Sequence, residues 1–306
     1  MNITVIIDAL NEEPFIGTCI RAVYPFVKRI MVVTNYDRSH AGHRLKPDGT
    51  VSGILSIDDP ENKIYLIVNR GIMDEALQRN WAIQFDRNLS KSARRRFLPY
   101  CHPKKEIERY YAETDYFWII DADEIYDPST VPAMIRFVAG TNGKNVLVRG
   151  FNHFKKWNYR IDPSNDHFWQ LGFIKSPALL YSSRNLYHPR PLGWLGHISP
   201  DLAEKARNAW INQIKMPETI GFFYHGSYIG DDDRIAKKFA ITVHAKEQAP
   251  YVAKWIESTW KKWTPDMRNF YFGPKPEIFS KANYFPTSDL PEILKDSKWP
   301  EGWIER

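Results

Sequence analysis

The chain has 306 residues, which is enough for one large domain with a sizeable core or for two lobes that share a cleft. Hydrophobic residues make up 43% and charged residues 25%, as in a globular protein rather than a disordered one. The net charge of +6 permits a polyanionic partner, although an ordinary solvated basic surface accounts for it more simply.

The two cysteines, Cys19 and Cys101, form neither a CxxC pair nor a metal-ligand spacing. The sequence therefore predicts no disulfide framework and indicates a reducing compartment. The opening segment ITVIIDAL is too short for a signal peptide, and its apolar run is interrupted by Asp8. No window of the sequence approaches eighteen uninterrupted apolar residues. We therefore expect a cytoplasmic protein without a membrane span.

Strands and helices alternate in the predicted first half. Apolar and β-branched runs predict strands over 3–7, 29–35, 63–69, 116–121 and 145–151, and helical spacing predicts helices over 11–27, 73–85 and 127–140. The third helix has Asp127 as its predicted cap, Pro128 at its first position and Gly140 as its stop. Residues 36–60 are polar and contain Gly and Pro, which predicts a long loop, with a small hairpin within it as an alternative. This order predicts an α/β fold with a mostly parallel sheet over residues 1–150.

The second half loses this alternation. Residues 151–220 are rich in Trp, Tyr, His, Pro and Asn, which indicates an irregular half that faces a ligand. A strand is predicted over 219–227, followed by a helix over 231–248 with acids at its start. The tail from about residue 250 is expected to pack over the body. We expect one continuous domain with halves at 1–150 and 151–306.

Polar residues follow four predicted strands directly: Asp8, Asn35, Asn69 and Asp121. In open parallel sheets, ligands bind at the carboxyl ends of the strands. One such residue is an ordinary strand end, whereas four in phase predict a site along this edge.

An acidic cluster, Asp121, Asp123 and Glu124, follows the apolar run YFWII. Buried carboxylates are costly unless something positive lies beside them. Oxygen ligands two residues apart, just past a strand, suit Mg²⁺ or Mn²⁺ with open positions for phosphates. The alternative is an acidic turn that caps the next helix, with the remaining carboxylates solvated.

Four segments together carry a resemblance to a known family: 4–23, 69–83, 118–128 and 224–247. Segment 4–23 resembles an opening strand followed by a turn and a helix, and segment 69–83 resembles an N-x-G…R-N helix. Segment 118–128 resembles a D-x-D motif, and segment 224–247 resembles an H-x-S-[YW] segment with a lysine-bearing helix. The first three resemble glycosyltransferases of the GT-A fold, family 2-like, which use nucleotide-sugar donors. The fourth resembles related β-N-acetylglucosaminyltransferase families. The resemblance covers residues 1–140 and about 220–247.

The resemblance implies a Rossmann-like GT-A sheet flanked by helices, with a nucleotide-sugar-binding half at 1–150 and an acceptor-binding half with the tail at 151–306. It implies donor-binding roles for Ala9, Leu10, Asn11, Glu12, Asp37, Asn69, Arg70, Arg79, Asp121 and Lys238. Asp8 stands where the family has a small residue or Pro, and is either a nucleotide ligand or a capping acid. Arg79 is either a phosphate ligand or a surface helix residue, and Lys237 is an alternative to Lys238.

A metal site of Asp121, Asp123 and His225 is also implied by the resemblance, with Mn²⁺ or Mg²⁺ as the ion. Asp121 would reach the ribose or a metal-bound water, and Asp123 would bind the ion directly. Imidazole favours Mn²⁺ over Mg²⁺. A lone histidine such as His225 is otherwise a hydrogen-bonded core residue.

The implied reaction is inverting transfer, with an acid as the base on the acceptor hydroxyl. The family's acidic pair is not evident in 151–220, where Asp166, Asp201 and Glu204 are candidates. We select Asp201, which follows GWLGHISP, although it also suits a helix cap.

The acceptor is left open between a glycan or small molecule, which we favour, and hydroxymethylated bases in DNA. Exposed aromatics can stack on sugars or on bases, and the candidates are Phe151, Phe154, Trp157, Tyr159, Phe168, Trp169 and Trp194. DNA would suit the basic runs at 91–97, 102–106 and 153–160, which are otherwise solvated loops.

Two other protein classes are considered. A nucleotidyltransferase is expected to carry a glycine-rich phosphate loop after the first strand, and DALNEEPF contains no glycine. A non-catalytic nucleotide- or glycan-binding module on the same fold has no need of a metal site, so the D-x-D motif and His225 argue against it.

Overall fold

The central element is a mixed β-sheet. The computed structural model of the protein describes residues 1–35, 39, 44, 46–69, 75–90, 101–102, 113–162, 169–175, 213–242, 245–272 and 275–305. Over these residues, eleven strands form one sheet: β1 (Ile3–Asp8), β2 (Arg29–Asn35), β3 (Ile64–Asn69), β4 (Cys101–His102), β5 (Tyr116–Asp121), β6 (Glu124–Tyr126), β7 (Asn145–Asp162), β8 (Trp169–Lys175), β9 (Gln213–Lys215), β10 (Phe222–Ile229) and β11 (Lys281–Tyr284).

Helices flank this sheet. They are α1 (Glu13–Val23), α2 (Thr50–Leu55), α3 (Glu75–Ser90), α4 (Val131–Ala139), α5 (Asp232–Ile241), α6 (Ala245–Trp255) and α7 (Glu292–Lys295), with a π-helical turn at Ile256–Trp260. None of the helices in these ranges is long and apolar enough to cross a membrane.

The strand order is β4-β3-β2-β1-β5-β8-β7-β10-β6, and β9 and β11 pair with β7. Strands β3, β2, β1 and β5 are mutually parallel, and β10 is parallel to β7. The predicted α/β class with a parallel central sheet and flanking helices is therefore confirmed. The predicted boundary at residue 150 falls inside β7, so both predicted halves share one strand.

The central strands are buried on both faces, as their continuous apolar runs predict. On one face, Val5 and Ile7 of β1 pack with Phe15 of α1. On the other face, Ile6 packs with Ile83 of α3. A third cluster joins Phe154 of β7 to α5, α6 and aromatic residues of the tail, so the tail packs on the body as predicted.

The parallel register brings the predicted polar residues to one edge. Asp8 lies opposite Asp121, and Asn35 lies opposite Asn69. All four are at the carboxyl ends of their strands, where the sequence predicted a site.

Four local predictions were wrong in extent. The predicted loop at 36–60 contains α2, which buries Ile54 against the α1 face. Helix α4 was predicted to begin with Asp127 as its cap, but it begins at Val131 after Thr130. The Asp127 carboxylate instead accepts a hydrogen bond from the Ser129 amide, in the turn that precedes the helix. The irregular half begins with β7, which continues to Asp162 past a left-handed residue, Lys155.

The helix predicted over 231–248 was the fourth such error, because it is two helices. Asp231 caps α5 by accepting a hydrogen bond from the Arg234 amide. The helix ends at Ile241, since Thr242 is extended with a ψ of 160°.

A buried ion pair holds α3 against the sheet, at the opposite end from the polar edge. Arg29 Nε of β2 lies 2.5 Å from Asp86 Oδ1 of α3, and both side chains are 1% exposed. Thr4 and Thr114 donate hydrogen bonds to the same carboxylate. This ion pair fixes α3 against the sheet, and α3 in turn brings Arg79 to the polar edge.

We predict that Asp86→Ala lowers the free energy of unfolding by about 3–5 kcal/mol, because it leaves the Arg29 guanidinium buried without its carboxylate. Urea unfolding measures the loss. The control is Glu257→Ala, which removes the exposed partner of Lys261 and should leave unfolding unchanged. Equal behaviour of the two variants would contradict this assignment.

Candidate functional site

A pocket opens at the carboxyl edge of β1 and β5. Within the part of the chain that the structure describes, its charged lining has five carboxylates and two cations: Asp8, Glu12, Glu75, Asp121, Asp123, Arg79 and Lys238. His225, Ser227 and Leu10 complete much of the wall. Among the described residues that line the pocket, the carboxylates outnumber the cations.

Glu12 stands at the entry to α1. The preceding residue, Asn11, has a left-handed φ of 54°, which asparagine tolerates, and this turn directs the chain into the helix. Glu12 is 8% exposed, and its carboxylate accepts hydrogen bonds from Lys238 (2.5 Å) and Arg234 (3.1 Å). Burial raises the pKa of Glu12, although both cations oppose the shift. Glu12 therefore ties α1 to α5.

Arg234 connects the pocket to the C-terminal segment. Its guanidinium lies 4.5 Å from the ring centre of Phe15 and 5.5 Å from that of Trp303. It also donates a hydrogen bond to the carbonyl of Ile229 at the end of β10. The tail thus supports α5, on which Lys238 lies.

Arg79 of α3 is buried in the pocket wall, and the alternative of a surface helix residue was wrong. Its Nη2 lies 2.6 Å from Asp121 Oδ1 and 3.9 Å from Asp8 Oδ2. The Asp121 side chain keeps 29% exposure, compared with 5% for Asp123. Arg79 therefore holds Asp121 at the pocket surface.

Asp123 is the most enclosed member of the D-x-D motif. Its Oδ2 accepts hydrogen bonds from Lys238 (2.6 Å) and Ser227 (2.7 Å), and its Oδ1 lies 3.6 Å from His225 Nε2. Burial alone would raise the pKa of Asp123, but the Lys238 ammonium and the His225 ring lower it well below its usual range. The carboxylate is therefore charged.

His225 lies on β10, and the two strands that flank β10, β6 and β7, position it. It lies opposite Glu124 on antiparallel β6 and opposite Asn152 on parallel β7. The register shifts directly after His225, and Gly226 is needed there because a Cβ would lie 2.4 Å from the Phe15 ring. The shift returns Ser227 to within 3.0 Å of His225 Nε2.

Sequence reasoning missed Asn152 and Ser227 as site residues. Ser227 lies within the quoted H-x-S-Y segment, so the motif itself offered a signal. Asn152 carried no signal, because only the parallel register of β7 and β10 brings it to His225.

Other residues proposed for donor binding lie at the same edge. Leu10 lines the pocket, and the Ala9 amide donates to the Val33 carbonyl, which extends the β1–β2 ladder. Asn69 is 4% exposed and donates a hydrogen bond to the Asn35 side chain at 3.0 Å. Some candidates lie outside the described residues: Asp37, Arg70, Asp166, Phe168, Trp194, Asp201 and Glu204.

The aromatic candidates for acceptor contact divide into two groups. Phe154 and Trp157 are fully buried, so the expectation that they are exposed was wrong. Phe154 packs on Trp260 and Phe270, and Trp157 packs on Phe15 and Trp299. Trp169 is also buried, at 8% exposure, so the expectation was wrong for it too, whereas Phe151 and Tyr159 are half-buried.

The described basic run in β7 is not a free basic loop. Lys156 lies 2.8 Å from Glu305, and Lys155 lies 3.7 Å from Asp232. The Arg160 guanidinium stacks between Phe151 and Phe285. The other two basic runs fall outside the described residues, apart from His102 in β4.

The described oxygen and nitrogen atoms at this edge offer few ligands for a divalent ion. No group of three or more His, Cys, Asp or Glu suited to a metal occurs within the part of the chain that the structure describes. Asp123 Oδ1 and His225 Nε2 do face each other at 3.6 Å, which suits two ligands of one ion. The third predicted ligand, Asp121, pairs through its Oδ1 with Arg79 Nη2 at 2.6 Å.

Comparisons with known proteins give weak likenesses. No protein-family model matches the chain, and no curated protein matches it in sequence. The structure of S. aureus TarS 1-349 is 15% identical with a TM-score of 0.38, and the match covers 81% of this chain and 69% of that one. Glucosyl-3-phosphoglycerate synthase from Mycobacterium tuberculosis, solved with Mn²⁺, UDP-glucose and phosphoglyceric acid, is 17% identical with a TM-score of 0.30.

The match to the synthase covers 49% of this chain and 44% of that one. A longer S. aureus TarS structure is matched over only 38% of its length. At these TM-scores the likenesses are too weak to assign an activity. The protein's class, an α/β protein with a carboxylate-rich pocket at its parallel edge, is defined by its own topology.

We predict that Lys238→Met lowers the free energy of unfolding by about 2–4 kcal/mol in metal-free buffer, because Glu12 and Asp123 lose the cation between them. Added Mn²⁺ should restore part of this loss by supplying positive charge. Chemical unfolding with and without Mn²⁺ measures both effects.

The matched control is Lys237→Met, which changes the exposed neighbouring residue on α5. It should unfold like the unchanged protein under both conditions. If Lys238→Met and Lys237→Met gave the same values, Lys238 would not be the counter-ion of the pocket.

Proposed function

We propose that the chain is a metal-dependent, inverting glycosyltransferase of the GT-A fold that moves a sugar from a nucleotide-sugar donor, with UDP-sugars favoured, to an acceptor hydroxyl. The observation that carries the proposal is the charge of the pocket at the carboxyl edge. Among the described lining residues are five carboxylates, two of them from the D-x-D motif, and two cations, and Asp123 Oδ1 lies 3.6 Å from His225 Nε2.

A nucleoside diphosphate is anionic, so a pocket with excess carboxylates would repel it unless a cation accompanied it. Asp123 and His225 are the residues that would hold such a divalent ion, with Mn²⁺ favoured by the imidazole. When bound, the ion supplies positive charge to the departing diphosphate. The carboxylates among the described lining residues support this proposed need for a cation.

The remaining roles belong to side chains around the pocket. Lys238, which contacts Glu12 and Asp123, would turn its ammonium toward a phosphate oxygen. Asp121, which pairs with Arg79, would accept a hydrogen bond from a ribose hydroxyl. Leu10 and Asn11 would contact the base and ribose, as the GT-A resemblance implies.

The acceptor-activating base is proposed as Asp201, on sequence grounds alone, with Asp166 and Glu204 as alternatives. We favour a glycan or small-molecule acceptor. DNA is the weaker alternative, because Phe154 and Trp157 are buried and the β7 lysines are ion-paired, which removes part of the surface that would contact a polyanion.

The second candidate function is a binding module that holds a nucleotide or glycan without turnover. The 3.6 Å approach of Asp123 to His225 favours the enzyme, because a binder has no need of paired ion ligands. Turnover distinguishes the two.

We expect nucleotide release from one member of a panel of UDP-, GDP-, dTDP- and CMP-sugars in Mn²⁺. Asp123→Ala should reduce release at least about 100-fold, because it removes a ligand of the ion that stabilises the leaving group. Release is measured with and without glycan, small-molecule and hydroxymethylated DNA acceptors.

The control is Asp233→Ala, which removes an exposed carboxylate at the start of α5 and should keep full release. Stimulation by DNA would select the alternative acceptor. Metal-dependent nucleotide binding without release from any donor would select the binding module, and absence of both would reject the proposal.

A further inference from the structure

A cluster of half-buried side chains lies on β7, on β10 and directly after β11. The members of this Arg160 cluster are Phe151, Arg160, Phe222, Tyr224 and Phe285. Phe151 lies opposite Tyr224 in the parallel β7–β10 pair, and the next pair along the strands is Asn152 with His225. The cluster is therefore one strand position away from a residue that lines the carboxylate pocket.

The Arg160 guanidinium lies between two aromatic rings. Its central carbon is 4.5 Å from the centre of the Phe151 ring and 4.3 Å from that of the Phe285 ring. Phe222 packs edge-on against Phe151 at 4.9 Å. The Phe285 amide donates to the Asn158 carbonyl at 2.7 Å, and the Asn158 side chain donates to the Phe285 carbonyl at 3.1 Å. The guanidinium is thus held in place without a ligand.

This guanidinium has aromatic neighbours but no carboxylate partner. Two acids are within electrostatic reach of Arg160, and each is paired with another cation. Glu218 lies 3.7 Å from Arg149 Nε. Asp162 lies 3.4 Å from Lys281 Nζ. In the part of the chain that the structure describes, Arg160 forms no ion pair and donates no hydrogen bond, so its N–H groups are available to an anion.

Tyr224 adds a second hydrogen-bond donor to the cluster. Its phenol is within electrostatic reach of the Arg160 guanidinium. Burial and then the Asp127 carboxylate raise the pKa of Tyr224 to about 12, although Arg160 opposes the shift. The hydroxyl therefore keeps its hydrogen at neutral pH, and it has no hydrogen-bond partner among the described residues.

A buried histidine beside the cluster adds no charge to it. His153 Nδ1 lies 2.6 Å from the Trp157 carbonyl oxygen, and its ring centre lies 5.5 Å from that of Tyr224. Burial lowers the pKa of His153 to about 3, and the positive charges of Arg160 and His225 add to this shift, although the Trp157 hydrogen bond opposes it. His153 is therefore neutral, and Arg160 supplies the positive charge of the cluster.

The cluster combines one cation and one hydroxyl donor with aromatic surface. Donors of this kind bind the oxygens of a phosphate or carboxylate, and half-buried rings pack on the carbon skeleton of a sugar. A polyanion such as DNA is held by a series of cations instead. Lys155 and Lys156 of the same strand are already ion-paired, so they do not extend Arg160 into such a series.

We propose that Arg160 and Tyr224 form a binding site for one phosphate or carboxylate group on a sugar, whose carbon skeleton packs on Phe151 and Phe222. The use of this site to hold an acidic acceptor beside the carboxylate pocket rests on the proposed function. The binding itself does not, and it is therefore tested without metal and without a sugar nucleotide.

The first test compares four ligands at constant ionic strength: glucose 6-phosphate, glucuronate, glucose and inorganic phosphate. Each is titrated into the protein, and ¹H–¹⁵N NMR follows the backbone amide signals of Phe151 and Phe222. We expect at least one of the two acidic sugars to bind with a Kd at least about tenfold lower than that of glucose, because it adds a charge-assisted hydrogen bond. It should also bind more tightly than inorganic phosphate, which has no carbon skeleton to pack on the rings.

The acidic sugar with the lower Kd identifies the group as phosphate or as carboxylate. Equal Kd values for glucose and both acidic sugars, or no saturable shift with either acid, would overturn the proposal. A short single-stranded oligonucleotide of thymidine is titrated in the same way. If it bound through Arg160 more tightly than either sugar, the site would belong to nucleic acid and the proposal would also fail.

The second test uses variants of the two donors. Arg160→Met keeps an apolar side chain between the rings and should raise the Kd of the preferred acidic sugar at least about tenfold, whereas Arg160→Lys should recover part of the affinity. Tyr224→Phe removes only the hydroxyl and should raise the same Kd about tenfold. The Kd of glucose should not change in these variants, which separates loss of the anion site from loss of the fold.

Arg268→Met is the matched control, because Arg268 is an exposed arginine that donates hydrogen bonds to carbonyl groups of its own turn. It should bind the acidic sugar like the unchanged protein. Equal Kd values in Arg160→Met and Arg268→Met would reject Arg160 as the anion ligand.

The anion site and the proposed function fail in different ways. If an acidic sugar binds through Arg160 but no sugar donor is turned over, the transferase proposal fails and the anion site stands. If a donor is turned over but no acidic sugar binds through Arg160, the function stands and the anion site is rejected.

Discussion

The structure depends on compensating the carboxylates that parallel strands bring to one edge. β1 and β5 end in Asp8 and Asp121, and the turn after β5 adds Asp123. Buried like charges are costly unless cations lie beside them. Those cations come from two helices distant in sequence: Arg79 on α3, and Lys238 with Arg234 on α5. The ion pair of α3 with β2 and the packing of the tail on Arg234 hold these helices in place.

The positive charge beside the acidic cluster comes, at least in part, from the chain's own side chains. Arg79 and Lys238 supply positive charge, although the carboxylates outnumber the cations among the lining residues that the structure describes. The residual charge, together with the Nε2 of His225 facing Asp123, is what a divalent ion carrying a diphosphate would satisfy. Under the proposed function, Lys238 would pair with Asp123 before a donor binds and with a phosphate afterwards.

Much of the fold could be predicted because the central strands are continuous apolar runs. Their ends marked the polar edge, since parallel strands share one direction. The length of β7 could not be predicted, because its polar and aromatic residues continue past a left-handed Lys155 and pair with β11, more than a hundred residues later. The residue types of the site could be predicted from the sequence, whereas the contacts between them could not. Glu12 contacts Lys238, and Asn152 contacts His225, only in the folded structure.

The central claim, that Asp123 and His225 form a divalent-cation site beside a nucleotide diphosphate, is tested most directly by crystallography with Mn²⁺ and UDP. Anomalous scattering at the manganese absorption edge locates the ion independently of the protein atoms. We predict one strong peak within coordination distance of Asp123 Oδ1, His225 Nε2 and the diphosphate. A diphosphate bound by Lys238 and Arg79 with no peak beside it, or a peak away from Asp123 and His225, would contradict the account.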